Sequence, residues 1–341
     1  MDNADFYRSL PKIELHRHLE GSLRLETVLD IAHTHGITVP ASISQLSKLV
    51  QVQNDEPFNY QNFLAKFATL RRFYRSAEVI HRITREAVED AARDNIRYME
   101  LRFTPVALGR VESYPLEDVT DWVCESAMQA SRDFNVIVCL IASVNRHEDP
   151  TLAEQVVRLC VDRKNKCIVG LDLAGNEAEF NGQSFVGIFR DARQAGLHVT
   201  VHAGEWAGAS SVREALEDFN AERIGHGVRV MEDDSVVAAA RERGVAFEVC
   251  VTSNYQTGVI NSLESHPLLH MLGEGLNVTL DTDDPSISQI TLTDEYRQAC
   301  EVLGMSRQVL KERVLAAADA AFLDEKEKSK LVSGFKKELG I

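Results

Sequence analysis

Short apolar runs alternate with longer amphipathic segments along the chain. Val136–Ala142 is the clearest run, because every residue in it is apolar. Runs that are apolar at consecutive positions are typical of strands covered on both faces, as in a parallel sheet. Eight such runs predict eight strands: Ile13–His16, Arg97–Phe103, Val136–Ala142, Ile168–Leu173, His198–His202, Arg223–His226, Val245–Cys250 and Asn277–Leu280.

The segments between the runs have the periodicity of surface helices. Ser76–Asn95 repeats apolar residues at helical spacing, and Leu152–Asp162 and Glu232–Arg243 follow the same pattern. Gly196 and Gly244 come just before runs, where a helix C-cap or a tight turn needs glycine. This alternation predicts the α/β class and a (β/α)8 TIM barrel, whose active site lies at the carboxyl ends of the strands.

An open, doubly wound sheet is the alternative architecture. It would place a glycine-rich phosphate-binding loop after the first strand. The stretch His16–Gly21, His-Arg-His-Leu-Glu-Gly, is not a loop of that type. A chain of 341 residues could hold two domains, but α/β barrels of this size often form one. We therefore predict a single barrel domain over residues 1–341 that ends in a helical tail.

A long insertion separates the first two predicted strands. Pro40–Phe73 has a helical pattern and is rich in aromatic residues. Extra material on a barrel loop often serves as a lid over the active site. Phe63 and Phe67 are the best lid candidates, because residues i and i+4 share one helix face. The alternative is that these aromatic side chains only pack against the flank of the barrel.

Composition narrows the possible partners and location. The chain has 37 Lys and Arg against 52 Asp and Glu, a balance that argues against nucleic acid or an anionic membrane as partner. No apolar run reaches the roughly 20 residues that span a bilayer, and the acidic N-terminus lacks the features of a secretory signal. The six cysteines form no C-x-x-C pair, and most are expected to be buried thiols. We expect a cytoplasmic protein.

Candidate chemistry lies at four predicted strand ends. His16 and His18 are two residues apart, so on a strand they face the same side. His202, His226 and Asp283 lie at the ends of the fifth, sixth and eighth runs. In a closed barrel these ends surround one mouth. Three histidines and a carboxylate suit zinc, and a catalytic zinc keeps one position open for water.

Each of these residues also has a purely structural interpretation. His16 and His18 could be unrelated surface histidines, and His202 could be a core histidine. The Asp281–Pro285 run could be a turn and helix start, since Asp before Pro is common there. However, three carboxylates at one strand end repel each other, and a nearby cation would relieve that repulsion. His226, between two glycines, lies where the backbone can approach a ligand closely.

Several motifs, in order and spacing, resemble the adenosine deaminase family of zinc-dependent purine deaminases. The resemblance extends from Leu10 to the helical tail. The other zinc deaminase pattern, H-x-E with P-C-x-x-C, is absent from the sequence. The matching motifs are His16-Arg17-His18-Leu19-Glu20-Gly21, Phe63-Leu64-Ala65-Lys66-Phe67, Gly170-Leu171-Asp172-Leu173-Ala174-Gly175, His202-Ala203-Gly204-Glu205, Gly225-His226-Gly227, Thr252-Ser253-Asn254 and Thr282-Asp283-Asp284-Pro285.

The resemblance implies hydrolytic deamination of a 6-aminopurine nucleoside, such as adenosine, with release of ammonia. We expect one Zn²⁺ per subunit, because no lysine lies at the end of the fourth run to bridge two metals and Lys164 and Lys166 precede that run. By the resemblance, zinc would be bound by His16, His18, His202 and Asp283. Glu205 would protonate ring N1 of the purine, and His226 would activate the attacking water. Asp284 and Gly175 would contact N7 and N3, and further substrate contacts would come from Glu20, Phe63, Phe67, Asp172 and Ser253.

The chain departs from the family pattern at residues that bear on the substrate. Glu20 is longer than the usual Asp near the ribose, Asn176 replaces an acidic residue, and Val251 replaces a common Pro. Arg17 also differs, but strand alternation points it away from the metal. Adenine and 6-aminodeoxyfutalosine therefore remain alternative substrates.

Two other functions are open at this point. A barrel hydrolase of amides or esters would have no need for the ring acid Glu205. In a non-catalytic binding protein, some of the metal-ligating residues would be replaced, whereas here all candidate ligands are present. The sequence predicts no oligomeric state.

Overall fold

The computed structural model describes residues 3–40, 42–164 and 166–341. Each of the eight predicted runs overlaps one observed strand. The largest difference is at the third strand, which continues to Asn145. The strands are β1 (Lys12–His18), β2 (Ile96–Phe103), β3 (Ile137–Asn145), β4 (Ile168–Ala174), β5 (His198–Ala203), β6 (Arg223–His226), β7 (Ala246–Val249) and β8 (Asn277–Leu280).

The strands form one parallel sheet in the order β1 to β8, and backbone hydrogen bonds close it into a barrel. Asp283, just after β8, makes the closure. Its N–H donates to the carbonyl of His16 and its carbonyl accepts from the N–H of His18, both at 2.8 Å. The predicted (β/α)8 barrel is confirmed. The closure also places a candidate metal ligand beside two others.

Helices connect successive strands and cover the barrel. Within the described residues, no helix combines the length and the apolar character needed to cross a bilayer. The helices are α1 (Asn3–Ser9), α2 (Leu25–Thr34), α3 (Ile43–Val50), α4 (Tyr60–Leu70), α5 (Ala77–Arg93), α6 (Pro105–Gly109), α7 (Leu116–Phe134), α8 (Pro150–Arg163), α9 (Val186–Gln194), α10 (Ala209–Glu217), α11 (Asp234–Arg243), α12 (Val251–Gln256), α13 (Leu268–Gly273), α14 (Pro285–Ser288), α15 (Leu292–Arg297), α16 (Arg307–Ala320) and α17 (Glu325–Leu339).

The insertion after β1 is helical, as predicted, and contributes α3 and α4. Asn59 starts α4 because its side chain accepts a hydrogen bond from the N–H of Asn62 at 2.8 Å, which satisfies a donor that the first turn leaves free. Ser76 caps the long helix α5 in the same way, through the N–H of Val79. The predicted helical tail consists of α16 and α17.

The barrel interior contains buried charges as well as apolar side chains. Arg102, Arg223, Glu100 and Glu248 are at most 1% exposed. Glu248 forms ion pairs with Arg102 and with Arg223, and Arg223 also pairs with Glu100. Paired in this way, the charges avoid the large cost of burial without a partner. This network lies below the strand ends that carry the candidate metal ligands.

The cysteines differ from the expectation of buried thiols at one pair. Cys124 of α7 and Cys167, just before β4, form a disulfide across a sequence separation of 43 residues. The pairing depends on how α7 packs beside the start of β4, which residue spacing does not reveal. Cys160 and Cys250 are buried free thiols, as expected, whereas Cys139 and Cys300 are partly exposed.

Candidate active site

Five side chains from four strand ends converge at the mouth of the barrel. They are His16 and His18 of β1, His202 of β5, His226 of β6, and Asp283 after β8. Nε2 of His16 lies 3.3 Å from Oδ1 of Asp283, and Nε2 of His18 lies 3.4 Å from the same oxygen. The Nε2 atoms of His18 and His202 are 3.3 Å apart. The fold thus brings together all four of the predicted ligands.

The spacing of these atoms fits a bound cation. Tetrahedral zinc with bonds of 2.0–2.1 Å keeps its ligand atoms about 3.3 Å apart. Nε2 of His16 is buried and makes no hydrogen bond within the described residues, so its lone pair is available to a metal. His202, His226, His16 and Asp283 also have ligand atoms within 4.8 Å of one another. Nitrogen donors with one carboxylate are a set that zinc accepts.

The imidazoles are held in orientation by carboxylates behind them. Nδ1 of His16 lies 2.9 Å from Oε2 of Glu248, and Nδ1 of His202 lies 2.9 Å from Oδ1 of Asp172. These contacts direct the Nε2 atoms toward the shared point, as in metal sites whose histidines bind a second carboxylate. Burial lowers the pKa of His18 to about 3, which favours the neutral imidazole that metal ligation requires.

Two residues that were predicted to contact the substrate do not line the cavity beside the candidate ligands. Asp172 is completely buried, and its carboxylate binds His202 and Ser143. Ser253 is also completely buried and donates to Oδ2 of Asp283 at 2.7 Å. Neither side chain lines the substrate cavity. We correct their assignment, because both support candidate ligands from behind.

Two of the converging residues have an unusual backbone. His226 has φ of 59° and Asp283 has φ of 62°, in the left-handed region that non-glycine residues seldom occupy. Residues held in such conformations cluster at functional sites. Gly225 makes room for the site, since a Cβ atom there would lie 3.0 Å from Cε1 of His16. At Gly227 a Cβ atom would overlap the ring of Phe247.

Glu205 extends from the loop after β5 and lines the same cavity. Its Oε2 lies 3.6 Å from Nε2 of His226. Burial raises the pKa of Glu205 well above its usual range, and the charges of Asp283 and Glu177 raise it further. The carboxyl group is therefore held toward its protonated form, in which it can donate a proton.

Glu177 organises the loop that carries Glu205, and the sequence analysis missed it. Its carboxylate accepts five hydrogen bonds, at 2.5–3.0 Å. Its position two residues after Gly175 was the only signal in the sequence. The donors are the N–H groups of Gly204, Glu205, Trp206 and Ala207 and the hydroxyl group of Ser211.

The cavity beside the candidate metal centre has a volume of about 100 Å³. Phe63 and Phe67 of α4 line it, with ring centroids 6.2 Å apart. Ligand pockets usually measure about 300–1,000 Å³. The space beside the candidate metal centre is thus narrow.

The cavity wall contains polar atoms that lack partners within the described residues. One oxygen of Glu20 accepts from the N–H of Thr104 at 2.6 Å, whereas Oε2 is free. Oδ1 of Asp284 and Nε1 of Trp206 are also buried without a partner. Burial raises the pKa of Asp284 well above its usual range, and the neighbouring charges of Asp283 and Glu20 act in the same direction. These atoms are available for hydrogen bonds to a ligand or to water.

The other singled-out residues occupy different positions. Gly175 lines the cavity, with φ of 90°. Arg71, directly after α4, also lines the cavity and was not predicted, although two adjacent arginines in an aromatic insertion are a visible signal. Asn176 accepts from the N–H groups of two residues in its own turn, and Val251 is buried at the start of α12. Neither lines the cavity.

Comparisons with known proteins agree with this geometry. The family model described as adenosine deaminase matches residues 11–338. An adenosine deaminase from Klebsiella pneumoniae is 38% identical over 326 residues, which cover 95% of this chain and 97% of the relative.

Solved structures of an adenine deaminase and of an amidohydrolase share the whole fold. The crystal structure of an adenine deaminase from Arthrobacter aurescens matches with a TM-score of 0.89 and 28% identity, covering 98% of this chain and all of that one. An amidohydrolase from Burkholderia ambifaria with bound zinc matches with a TM-score of 0.91 and 26% identity, covering 100% of this chain and 94% of that one. The chain therefore belongs to the adenosine deaminase family and is a hydrolase of C–N bonds in cyclic amidines.

Proposed function

We propose that this enzyme hydrolyses the exocyclic amine of a 6-aminopurine nucleoside, adenosine or an adenosine-like nucleoside, and releases ammonia. One observation carries the proposal: a carboxyl group with a raised pKa, Glu205, faces the same narrow cavity as the converging imidazoles and Asp283. Deamination of an aromatic ring needs a strong nucleophile at the carbon and a proton for the ring nitrogen. This arrangement provides for both.

The residues at the strand ends would hold a single zinc ion. The proposed ligands are His16, His18, His202 and Asp283, supported by their interatomic spacing and by the similar amidohydrolase structure that was solved with bound zinc. Zinc, when bound, lowers the pKa of a coordinated water toward about 7 and so provides a nucleophile at neutral pH.

The remaining residues would position and protonate the purine. Glu205 donates a proton to ring N1, so that the ring accepts electrons during attack at the adjacent carbon. His226 is 3.6 Å from Glu205 and orients the attacking water and receives its proton. Asp284, whose raised pKa favours the protonated form, donates a hydrogen bond to N7, and the N–H of Gly175 binds N3.

The sugar side of the substrate would be bound by Glu20 and the lid. The unpartnered Oε2 of Glu20 can accept a hydrogen bond from a ribose hydroxyl group, which favours a nucleoside over free adenine. Phe63 and Phe67 would cover the base and exclude water from it. Adenine and 6-aminodeoxyfutalosine are the alternative substrates. Hydrolysis of an amide is a less favoured reaction, because it would give the acid Glu205 no catalytic role.

A substrate panel combined with one variant tests the proposal. We expect adenosine to lose its adenine absorbance and release ammonia with a higher kcat/KM than adenine or 6-aminodeoxyfutalosine. The variant Glu205→Gln should retain zinc but lose at least about 100-fold in kcat, since general acid catalysis contributes about 10²–10⁴-fold. Full activity of Glu205→Gln would refute the acid role.

The variant Glu20→Asp tests substrate choice separately. It should change the relative kcat/KM values among the three substrates without removing zinc. Unchanged relative rates would refute a role for Glu20 in choosing the group at N9.

A further inference from the structure

Arg17 is a buried arginine with an incomplete set of partners. It lies between His16 and His18 on β1, but its side chain faces the surrounding helices and not the substrate cavity. The residue is only 5% exposed. Its Nε donates to Oγ of Ser22 at 3.0 Å. Among the described residues, nothing accepts a hydrogen bond from its two terminal nitrogens.

The nearest aspartates are already engaged elsewhere. Asp90 binds Arg24 through both of its oxygens, with the shortest contact at 2.6 Å. Asp94 accepts from the N–H of Thr293 at 3.0 Å and from the hydroxyl group of the same residue. A guanidinium that is buried without an opposite charge is unfavourable. Arg17 therefore has unused capacity for an anion.

Glu14 is the third carboxyl group near Arg17, and its oxygens also have another partner. Both of its oxygens accept hydrogen bonds from Thr282, at 3.0 Å from the N–H and 2.8 Å from the hydroxyl group. None of Asp90, Asp94 and Glu14 accepts a hydrogen bond from the Arg17 guanidinium, whose acceptor is Ser22.

A cavity of about 610 Å³ opens in front of Arg17. It lies between β1, the helices α1, α2, α5 and α15, and the loop after β8. This volume lies within the range of small-molecule pockets. Arg8, at the rim, is exposed and forms no ion pair within the described part of the chain. The other arginines of the wall pair with carboxylates: Arg24 with Asp90, Arg93 with Glu89 and Arg297 with Asp294.

Most hydroxyl and amide groups of the wall already have partners. Ser286 donates to the carbonyl of Leu23, and the amide of Gln51 donates to the carbonyl of Ser286. Among the guanidinium groups of the wall, those of Arg17 and Arg8 form no ion pair within the described residues, and neither does the exposed carboxylate of Glu26. Two unpaired guanidinium groups suit a group with two negative charges, and guanidinium binds phosphate oxygens in pairs.

We propose that this cavity, which we call the Arg17 cavity, binds the phosphate group of a small molecule. The site is separate from the substrate cavity, and Arg17 lines only the Arg17 cavity. An occupant would also touch segments that hold candidate ligands. Oγ of Ser22 donates to the carbonyl of His18 at 2.7 Å, and Thr282 and Pro285 flank Asp283 and Asp284.

Calorimetric titration of the zinc-loaded enzyme with inorganic phosphate tests the proposal. We expect saturable binding that the variant Arg17→Leu weakens about 10- to 100-fold, the range expected for one lost charge-assisted contact. Arg8→Leu should weaken it several-fold. It changes an exposed residue, so it remains informative even if Arg17→Leu does not fold. Arg158→Leu is the matched control, because Arg158 is exposed and lies outside the cavity.

Titrations with further ligands distinguish a phosphate site from an adventitious ion and from a carboxylate site. Glycerol 3-phosphate should bind and glycerol should not, which would show that the phosphate group is recognised. Phosphate binding of equal strength in wild type, Arg17→Leu and Arg8→Leu would overturn the proposal and indicate an adventitious ion only, at the metal centre or on the surface. Tighter binding of citrate than of phosphate would overturn the assignment to phosphate in favour of a carboxylate ligand.

Discussion

At the scale of single residues, the site depends on side chains that set the position of others. Glu177 contacts neither the cavity nor the converging imidazoles, yet it fixes the loop on which Glu205 lies. Gly225 contributes no side chain at all, and its role is to leave space for His16. Such residues control the distances between reacting groups without taking part in the chemistry.

We predict that Glu177→Gln lowers kcat about 10-fold or more while zinc content and KM change little. The amide loses the negative charge and presents N–H donors to backbone N–H groups, so the loop that holds Glu205 shifts. A hydrogen bond to a charged group contributes about 1.5–3 kcal/mol. Steady-state kinetics and metal analysis measure the effect. Glu179→Gln, which changes an exposed neighbour, is the control, and equal kcat in both variants would contradict the positioning role.

We predict that Gly225→Ala weakens zinc binding about 10-fold. The new Cβ atom would lie 3.0 Å from Cε1 of His16, so the imidazole must move away from the shared point. Changes behind metal ligands commonly cost about 10- to 100-fold in affinity. Competition with a chromogenic chelator gives the dissociation constant. Gly334→Ala is the control, because a Cβ atom there meets nothing within 4 Å. An unchanged affinity for zinc in Gly225→Ala would contradict the proposed steric contact with His16.

At the scale of elements, the insertion adds the helices α3 and α4 to an otherwise regular barrel. The helix α4 places Phe63 and Phe67 one turn apart over the cavity, while the barrel strands place the polar residues below it. Phe63 is 3% exposed and belongs to the core, whereas Phe67 only packs against the core. The two rings therefore differ in how much the fold depends on them.

We predict that Phe67→Ala raises KM about 10- to 100-fold with little change in kcat. The ring covers the bound base, and loss of a buried aromatic contact of this kind reduces binding by about 1.5–3 kcal/mol. Gln61→Ala, on the exposed face of α4, should leave both constants unchanged. Initial-rate measurements over a range of substrate concentrations decide the matter. A fall in kcat at constant KM would mean that the lid acts on the chemical step.

At the scale of the whole molecule, closure of the barrel creates the site. The first and last strands meet through Asp283, which joins residues separated by more than two-thirds of the chain. Three imidazoles and several carboxylates are then buried close together, beside the internal ion pairs of Arg102, Arg223 and Glu248. A cation bound at this point would link the two ends of the sheet.

We predict that removal of the metal abolishes activity and lowers Tm by about 6 °C. A cation present at about 1,000 times its Kd stabilises the folded state by about 4 kcal/mol, and for 341 residues this corresponds to about 6 °C. Differential scanning calorimetry before and after chelation, and after return of Zn²⁺, measures the change. His202→Ala should not respond to added Zn²⁺. A Tm independent of Zn²⁺ in the wild type would contradict a metal that binds both ends of the sheet.

The sequence by itself determined the strands, the barrel, the helical insertion and the identity of the residues at the strand ends. These features depend on local periodicity, and parallel strands bring their carboxyl ends to one mouth whatever the details of packing. The convergence of His16, His18, His202 and Asp283 could therefore be predicted.

Only the tertiary structure decided where the supporting side chains point. Asp172 and Ser253 turn toward candidate ligands and not toward the cavity, Glu177 binds a loop almost 30 residues further along, and Cys124 meets Cys167. The unpaired state of Arg17 likewise depends on which carboxylates other residues have already engaged. Contacts of this kind join residues far apart in the chain through particular side-chain rotamers, and neither spacing nor periodicity encodes them.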